Sequence, residues 1–412
     1  MRKHLLYSTL GLMLGAMPAL AANLVVDSDG HATSFNCDAT TVTPYTTIQA
    51  AIDAASSGDT VIVCPGAPYD EQPVVAKSLT IRGKGDATVK PSPMVDNTTS
   101  ATTGAPLAAG ILVRDTIGVV IESLAVDGAD NGGTGCSNNP VGIYFRNASG
   151  TLQDAAVRNL RLGTGLEGCQ GGLGVLVQNS EGGTSAVLVQ GTSVHDYQKN
   201  GITASGSGSS LTARGNRVTG LGPTPFIAQN GIQISFGAGG TIENNVIANH
   251  AWTPCTFEQC DFTSTNILTF EPAEGVVIRK NTLVNTQVGI YAFSTNGATI
   301  QGNDVTQTSP FDAIAVVGDF NLVMANNLTH SDESGIFIDG TSNTARRNRI
   351  NESPIGIWSF SGTNTIPASG FQANKFFNVA VAVHLGPNPP FAGNRAAGAT
   401  RTTHEAAPVP YR

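Results

Sequence analysis

The feature that most constrains this chain is a phrase that returns seven times between residues 216 and 374. It reads G-N-R-V around Asn216, Asn244-Asn245-Val246, K-N-T-L around Asn281, G-N-D-V around Asn303, A-N-N-L around Asn326, R-N-R-I around Asn348 and A-N-K-F around Asn374. The steps from Asn216 are 28, 37, 22, 23, 22 and 26 residues. A second phrase keeps the same time: Asn200-Gly201-Ile202, Asn230-Gly231-Ile232, Val288-Gly289-Ile290, Asp312-Ala313-Ile314, Ser334-Gly335-Ile336 and Ile355-Gly356-Ile357. Two phrases alternating at one period define a structural repeat.

A period near 22 residues, with short β-rich segments and no helical pattern, suits one coil of a parallel β-helix. Along Gly335-Ile336-Phe337-Ile338, alternation sends Ile336 and Ile338 one way and Phe337 the other. Coils stacked about 4.8 Å apart place equivalent residues in columns. A recurring corner asparagine tolerates the left-handed backbone of a tight turn, and its amides stack as a hydrogen-bonded ladder. The expected class is all-β, a solenoid over residues 61–385 behind a cap region at 22–60 and ahead of a Pro/Ala-rich tail at 386–412.

Residues 1–21 read as a secretory signal peptide, with Arg2, Lys3 and His4 before an apolar run and Ala19-Leu20-Ala21 as the cleavage site. Removing it leaves 20 basic against 30 acidic residues. That balance argues against nucleic acid or an anionic membrane as partner, and no further apolar run is long enough for membrane insertion. The mature chain is expected to be secreted or periplasmic, and a monomer. Six cysteines in an exported chain suggest three disulfides, with spacing favouring Cys37 with Cys64, Cys136 with Cys169, and Cys255 with Cys260 among 15 connectivities. No metal signature appears; Asp27-Ser28-Asp29-Gly30 starts like a calcium loop but lacks the glutamate and spacing of an EF-hand, so calcium is the one cofactor left open.

Residues 45–85 contain Ile48, Ala51, Ile52 and Ala55 on one face of a short helix, then Val61-Ile62-Val63 and a Pro65-Gly66 turn. Such a helix would cover the open end of a solenoid and hide its first strand edges. This stretch resembles the N-terminal cap of the pectin-lyase-like superfamily of right-handed parallel β-helices, and the later phrases resemble its coil repeat. The resemblance spans residues 45–385 and concerns fold more than chemistry. It implies that a sugar polymer lies beside the sheet carrying the x-G-I strands.

On those strands the residue after the isoleucine points outward, giving a column that includes Gln233, Tyr291, Phe337 and Trp358. Aromatic planes suit the C–H faces of sugar rings, so Tyr291, Phe337 and Trp358 are candidate substrate contacts, with Gln229, Gln233 and Asp312 beside them. Two insertions, 220–229 and 249–265, leave the repeat along one edge and flank Lys199. Lys199, Tyr197 and His250 are the side chains of the right type for proton abstraction beside a uronate carboxylate, since a desolvated lysine loses its proton readily. Paired carboxylates of the polygalacturonase kind are missing, as are the motifs of pectate lyases, pectin methylesterases and alginate epimerases. The reading is therefore a β-helix that binds or processes an extracellular or envelope polysaccharide, with lyase or epimerase chemistry ahead of hydrolysis. A non-catalytic surface or carbohydrate-binding solenoid is the alternative.

Overall fold

A computed structural model describes residues 21–29, 37, 43–180, 182–256, 260 and 262–387. The stretch 1–20 read as a signal peptide, Gly30, and the tail segment 388–412 lie outside the described residues. Among the described residues, apart from one helix, Ile48–Ala54, the regular structure is β. Parallel strands wind coil after coil. One sheet runs through Asn23–Val26, Thr60–Val63 and Thr80–Gly83 to Thr344–Arg346, and the other carries both sequence phrases. The first strand of the solenoid, Asn23–Val26, thus lies within the segment read as cap.

The expected ladder forms. Each backbone N–H and each side-chain Nδ2 from Asn216 through Asn245, Asn281, Asn303, Asn326 and Asn348 donates to the Oδ1 of the next asparagine, ending at Asn374, at 2.9–3.0 Å. Two details differ from expectation. Asn245 rather than Asn244 fills the second rung. The left-handed residue is the one before the ladder asparagine: Gly215, Asn244, Lys280, Gly302, Ala325 and Arg347 all have φ between 54° and 65°. The ladder amide is therefore selected for its hydrogen bonds, and its predecessor takes the turn. A second ladder, Asn321, Asn343 and Asn364, stacks at another corner.

Aliphatic columns fill the interior, among them Ile202, Ile232, Ile267, Ile290, Ile314, Ile336 and Ile357, each 0% exposed. At the N-terminal end Ile48, Ala51 and Ile52 of the helix join this core. The helix start is held twice: Thr47 Oγ1 accepts the Ala50 N–H at 3.2 Å, and Glu71 accepts the N–H groups of Ile48 and Gln49 at 2.6 and 2.9 Å. Cys37 with Cys64, Cys136 with Cys169, and Cys255 with Cys260 are bonded as spacing suggested.

Candidate functional site

The insertions rise from the corner that precedes the x-G-I strands, and buried glutamines tie them down. Gln198 Nε2 donates to the carbonyls of Leu166 and Cys169, both at 2.8 Å, and its Oε1 accepts the Leu162 N–H. Gln229 Nε2 donates to the Tyr197 and Gln198 carbonyls at 2.7 and 3.0 Å, while its Oε1 accepts the Leu221 N–H at 2.9 Å. Gln287 Oε1 accepts N–H groups from Trp252 and Ser264, near the two ends of the 249–265 insertion. Gln198 ties down the loop through residues 162–169, and Gln229 and Gln287 tie down the two insertions. Gln229 is thus a structural tie in this arrangement, with both ends of its amide engaged, and not a free substrate contact.

Lys199 lies between these anchors, 0% exposed. Its Nζ donates to the carbonyl of Ala228, in the 220–229 insertion, at 2.7 Å. Burial lowers its ammonium to about 7. A buried amine whose bond is to a neutral carbonyl gains little for staying charged.

Tyr197 and His250 do not join Lys199 in a cleft, contrary to expectation. The Tyr197 ring belongs to the interior core. Its hydroxyl donates to His250 Nε2, and His250 Nδ1 donates to Asn266 Oδ1 at 2.6 Å. An amide oxygen only accepts, so the proton sits on Nδ1 and the imidazole is neutral. Burial holds His250 down at about 4 and pushes the Tyr197 phenol well above its usual value. Local sequence explains the arrangement. Asn266 occupies the x-G-I position that is Gly231 in the preceding coil and Gly289 in the next. A Cβ on the intervening Gly220 would come within 2.7–2.9 Å of the His250 ring. Glycine leaves the room through which Tyr197 reaches His250. The triad is an interior brace.

The outward column is real. Tyr144, Leu176, Thr203, Gln233, Leu268, Tyr291, Ala315, Phe337 and Trp358 stand in register, coil against coil. It is not open. Tyr291, Phe337 and Trp358 are 6%, 3% and 1% exposed, packed with Trp252, Phe270, Phe311 and their neighbours. Trp358 Nε1 donates to the Gly386 carbonyl at 2.9 Å. Farther toward the N-terminus, the segment around Ser100 folds over the same face, with Gln178 Oε1 accepting from Ser100, Ala101 and Tyr144. Between the two apolar patches, Gln233 accepts from Asn200 and Asn230 at 2.9 and 3.3 Å and donates to Ser235 at 3.0 Å. Gln233 is fully buried, and so is Asp312, which accepts from Ser334 Oγ at 2.5 Å. Alternation predicted direction correctly; it carries no information about what covers an outward residue.

An accessible polar cluster escaped the sequence reading. Asp127, Arg158 and His195 stand in register on neighbouring coils. Arg158 Nε donates to Asp127 at 2.9 Å, and His195 Nδ1 lies 2.6 Å from Asp196 Oδ2, with side chains 38% and 44% exposed. Its signal, Val194-His195-Asp196 in the strand register of Val157-Arg158-Asn159, requires knowing the coil alignment first. Among the described residues no group of three or more His, Cys, Asp or Glu could hold a metal ion.

Residues 173–376 match the family model described as a right handed beta helix region. The chain is a right-handed parallel β-helix. This β-helix is similar to a lacto-N-biosidase from Eubacterium ramulus, at 11% identity and TM-score 0.56, covering 89% of this chain and 68% of that one. It is similar also to the mannuronan C-5 epimerase A-module of Azotobacter vinelandii, at 15% identity and TM-score 0.54, covering 90% and 100%. The Dettilon tailspike protein aligns at 15% identity and TM-score 0.52, covering 85% and 66%. No curated protein matches the β-helix in sequence. At these identities the likeness is one of fold.

Proposed function

We propose that this β-helix is exported and processes an extracellular or envelope polysaccharide, with Lys199 as the base that removes the proton beside a uronate carboxylate. The observation that carries the reading is Lys199 itself: an amine near neutrality, beneath an insertion, beside a polar stretch of the sheet's outer face. Strongly displaced titrations gather at functional sites more often than elsewhere. A lysine with its pKa near 7 is half unprotonated at neutral pH, which suits general-base work. The lacto-N-biosidase and the mannuronan C-5 epimerase, which share the fold, support a sugar polymer as the substrate class. Three disulfides support an oxidising compartment.

In the reaction, Lys199 takes the C5 proton. The electron pair then either expels the O4 substituent, which takes a proton from solvent water and leaves as the alcohol with a C4–C5 double bond behind it, or takes a proton from water on the opposite face of C5. Because Ala228 covers the amine, substrate must displace the segment around it. Tyr197 and His250 keep a bracing role and touch no substrate. The sealed state of Lys199 also favours a second reading, in which the amine only packs and the protein binds its polymer without turnover.

The deciding experiment incubates the mature protein with alginate and with polygalacturonate. Mass spectrometry reads unsaturated fragments, one water lighter than hydrolytic ones, and NMR reads epimerisation. Lys199→Ala is expected to abolish whichever product appears. Unchanged polymers in both assays would overturn the catalytic reading, and hydrolytic fragments would redirect attention to the exposed carboxylates.

A further inference from the structure

Four cations gather around the ladder asparagines Asn348 and Asn374. Arg346 ends a strand of the first sheet, Arg347 takes the left-handed corner at φ 57°, and Arg349 opens the next strand, with Lys375 in register on the following coil. Like charges set side by side on neighbouring strands repel. In earlier coils outward cations meet acids: Arg158 donates to Asp127 at 2.9 Å, and Arg214 and Arg279 share Glu243, each at 2.7 Å. Among the described residues, no ion pair reaches any of the four cations at the later corner. Glu352, later in the strand of Arg349, lies 3.6 Å from His330 instead.

Two phenylalanines share the patch. The guanidinium carbon of Arg347 sits 3.9 Å from the centre of the Phe371 ring, and that of Arg349 sits 4.0 Å from the centre of Phe377. The rings are 83% and 39% exposed. A guanidinium held over a ring keeps a planar fork of N–H groups pre-positioned for a carboxylate. Nor is this corner satisfied by its own chain. Arg346 Nε, Arg347 Nε and Gln372 Oε1 are buried without a hydrogen-bond partner, three of the five such side-chain atoms among the described residues. Buried polar groups are ordinarily paired. These side chains therefore gain by turning onto a ligand that brings acceptors for the arginines and a donor for the glutamine.

We propose that this corner is an anchoring subsite for an acidic polysaccharide, its carboxylates on Arg347, Arg349 and Lys375 and the C–H faces of its rings on Phe371 and Phe377. Sugar hydroxyls supply the donor that Gln372 lacks. A neutral polymer would leave the cations unpaired, and a polyanion without sugar rings would leave the exposed phenylalanines unused. Beyond residue 21 the chain has 20 basic against 30 acidic residues, so it repels a polyanion elsewhere and the patch fixes where one lands. Arg349 stands six coils along its column from Ser193, in the coil of Lys199, a distance of about 29 Å. Only a long chain can touch both places. The inference rests on the uronate-polymer reading and adds where that polymer is held without reacting.

The test is calorimetric titration of the mature Lys199→Ala protein, which leaves the polymer intact, with size-fractionated polygalacturonate. Binding is expected that weakens with added salt. Arg349→Glu and Lys375→Glu should each weaken it about tenfold or more, the scale of a lost hydrogen bond to a charged group. Arg349→Gln, which removes charge without reversing it, should lose less, and the far-UV circular dichroism should stay unchanged in all three. Undiminished affinity in both glutamate variants would overturn the proposal and leave the polymer reading standing. No binding by the Lys199→Ala protein would overturn it too, while the products formed by the chain that keeps Lys199 judge the catalytic reading separately. Linear polyphosphate separates sugar from charge. Phe377→Ala should weaken polygalacturonate more than polyphosphate, and equal effects would mean that the patch reads charge alone, so that the assignment to a sugar polymer is wrong.

Discussion

The N-terminal end of the solenoid is closed by a helix whose Ile48, Ala51 and Ile52 are each no more than 1% exposed, while at the C-terminal end no residue of the last strand is buried. Both ends face one problem: a coil buries its interior only on a neighbour, and a terminal coil has one neighbour instead of two. The first end solves it within the chain. Glu71 and Thr47 hold the helix start, and the helix supplies the apolar layer that a preceding coil would have given. The second end has the apolar residues and the backbone groups but no cover among the described residues. Equal strand geometry therefore does not mean equal stability, and the coils near Lys375 should open first.

The largest expected effect lies at the closed end. Ile48→Ala or Ile52→Ala should each destabilise the protein by about 2–5 kcal/mol, the usual range for truncating a buried isoleucine. Urea unfolding followed by circular dichroism measures it. A loss of only a few tenths would mean that the helix decorates the end without closing it, and the contrast between the ends would vanish.

The middle of the solenoid provides a control through pH. Lys199 is pushed down to about 7 in the folded chain against its ordinary 10.5. The unfolded chain therefore holds the extra proton between these values, and stability rises with pH across that window. Below about 7 both states are protonated and the whole penalty of the buried charge applies. Lys199→Met should accordingly stabilise by a few kcal/mol, on the order of one for each pKa unit of displacement, near pH 6. The gain should fade toward pH 10.5. The Ile48→Ala cost should show no such slope, and a pH-independent Lys199→Met effect would mean that the amine titrates in the fold as it does in the unfolded chain, undisplaced by burial.

Much of the architecture was legible because its signals are local and repeated. The corner asparagines recur at coil spacing, and alternation along Gly335-Ile336-Phe337-Ile338 fixes which residues enter the core. The disulfide partners could be paired because each lies within about one coil of the other. The site was far less legible. Tyr197, Lys199 and His250 sit together on the repeat map, but a corner has an inside and an outside, and the alternation rule fails there. Gly220 and Asn266, which turn Tyr197 and His250 inward, look like ordinary turn and strand residues in sequence. Likewise Gln229 shares its polarity with a ligand-binding residue, and only its three bonds identify it as a tie.

A smaller effect should grade the ladder along the axis. Asn303 receives bonds from Asn281 and gives bonds to Asn326 and the Ile278 carbonyl. Asn303→Ala leaves several of these buried groups unpaired and should cost about 1–3 kcal/mol. Asn374 ends the ladder, 8% exposed, with Asn348 below it and only the Ala345 carbonyl to receive its amide. Asn374→Ala should cost less, because water can reach the groups it abandons. Equal costs in the two variants, by urea titration, would show that the last coil is as well sealed as the middle ones.

The smallest effect is the most informative about the open end. Val383 is 37% exposed and lies on a strand that, among the described residues, pairs on one side. Removing its two methyl groups from an unpaired monomer should change stability by no more than about 0.5 kcal/mol, as for other surface substitutions. If copies pair through this strand, the same residue is buried in the dimer, and the cost of Val383→Ala should grow with protein concentration because association stabilises only the folded chain. Unfolding curves for Val383→Ala and the parent chain, each taken at low and high concentration, separate the cases. A small, constant difference describes an edge that stays bare, a large constant one an edge covered within the chain, and one that widens with concentration an edge covered by a second copy.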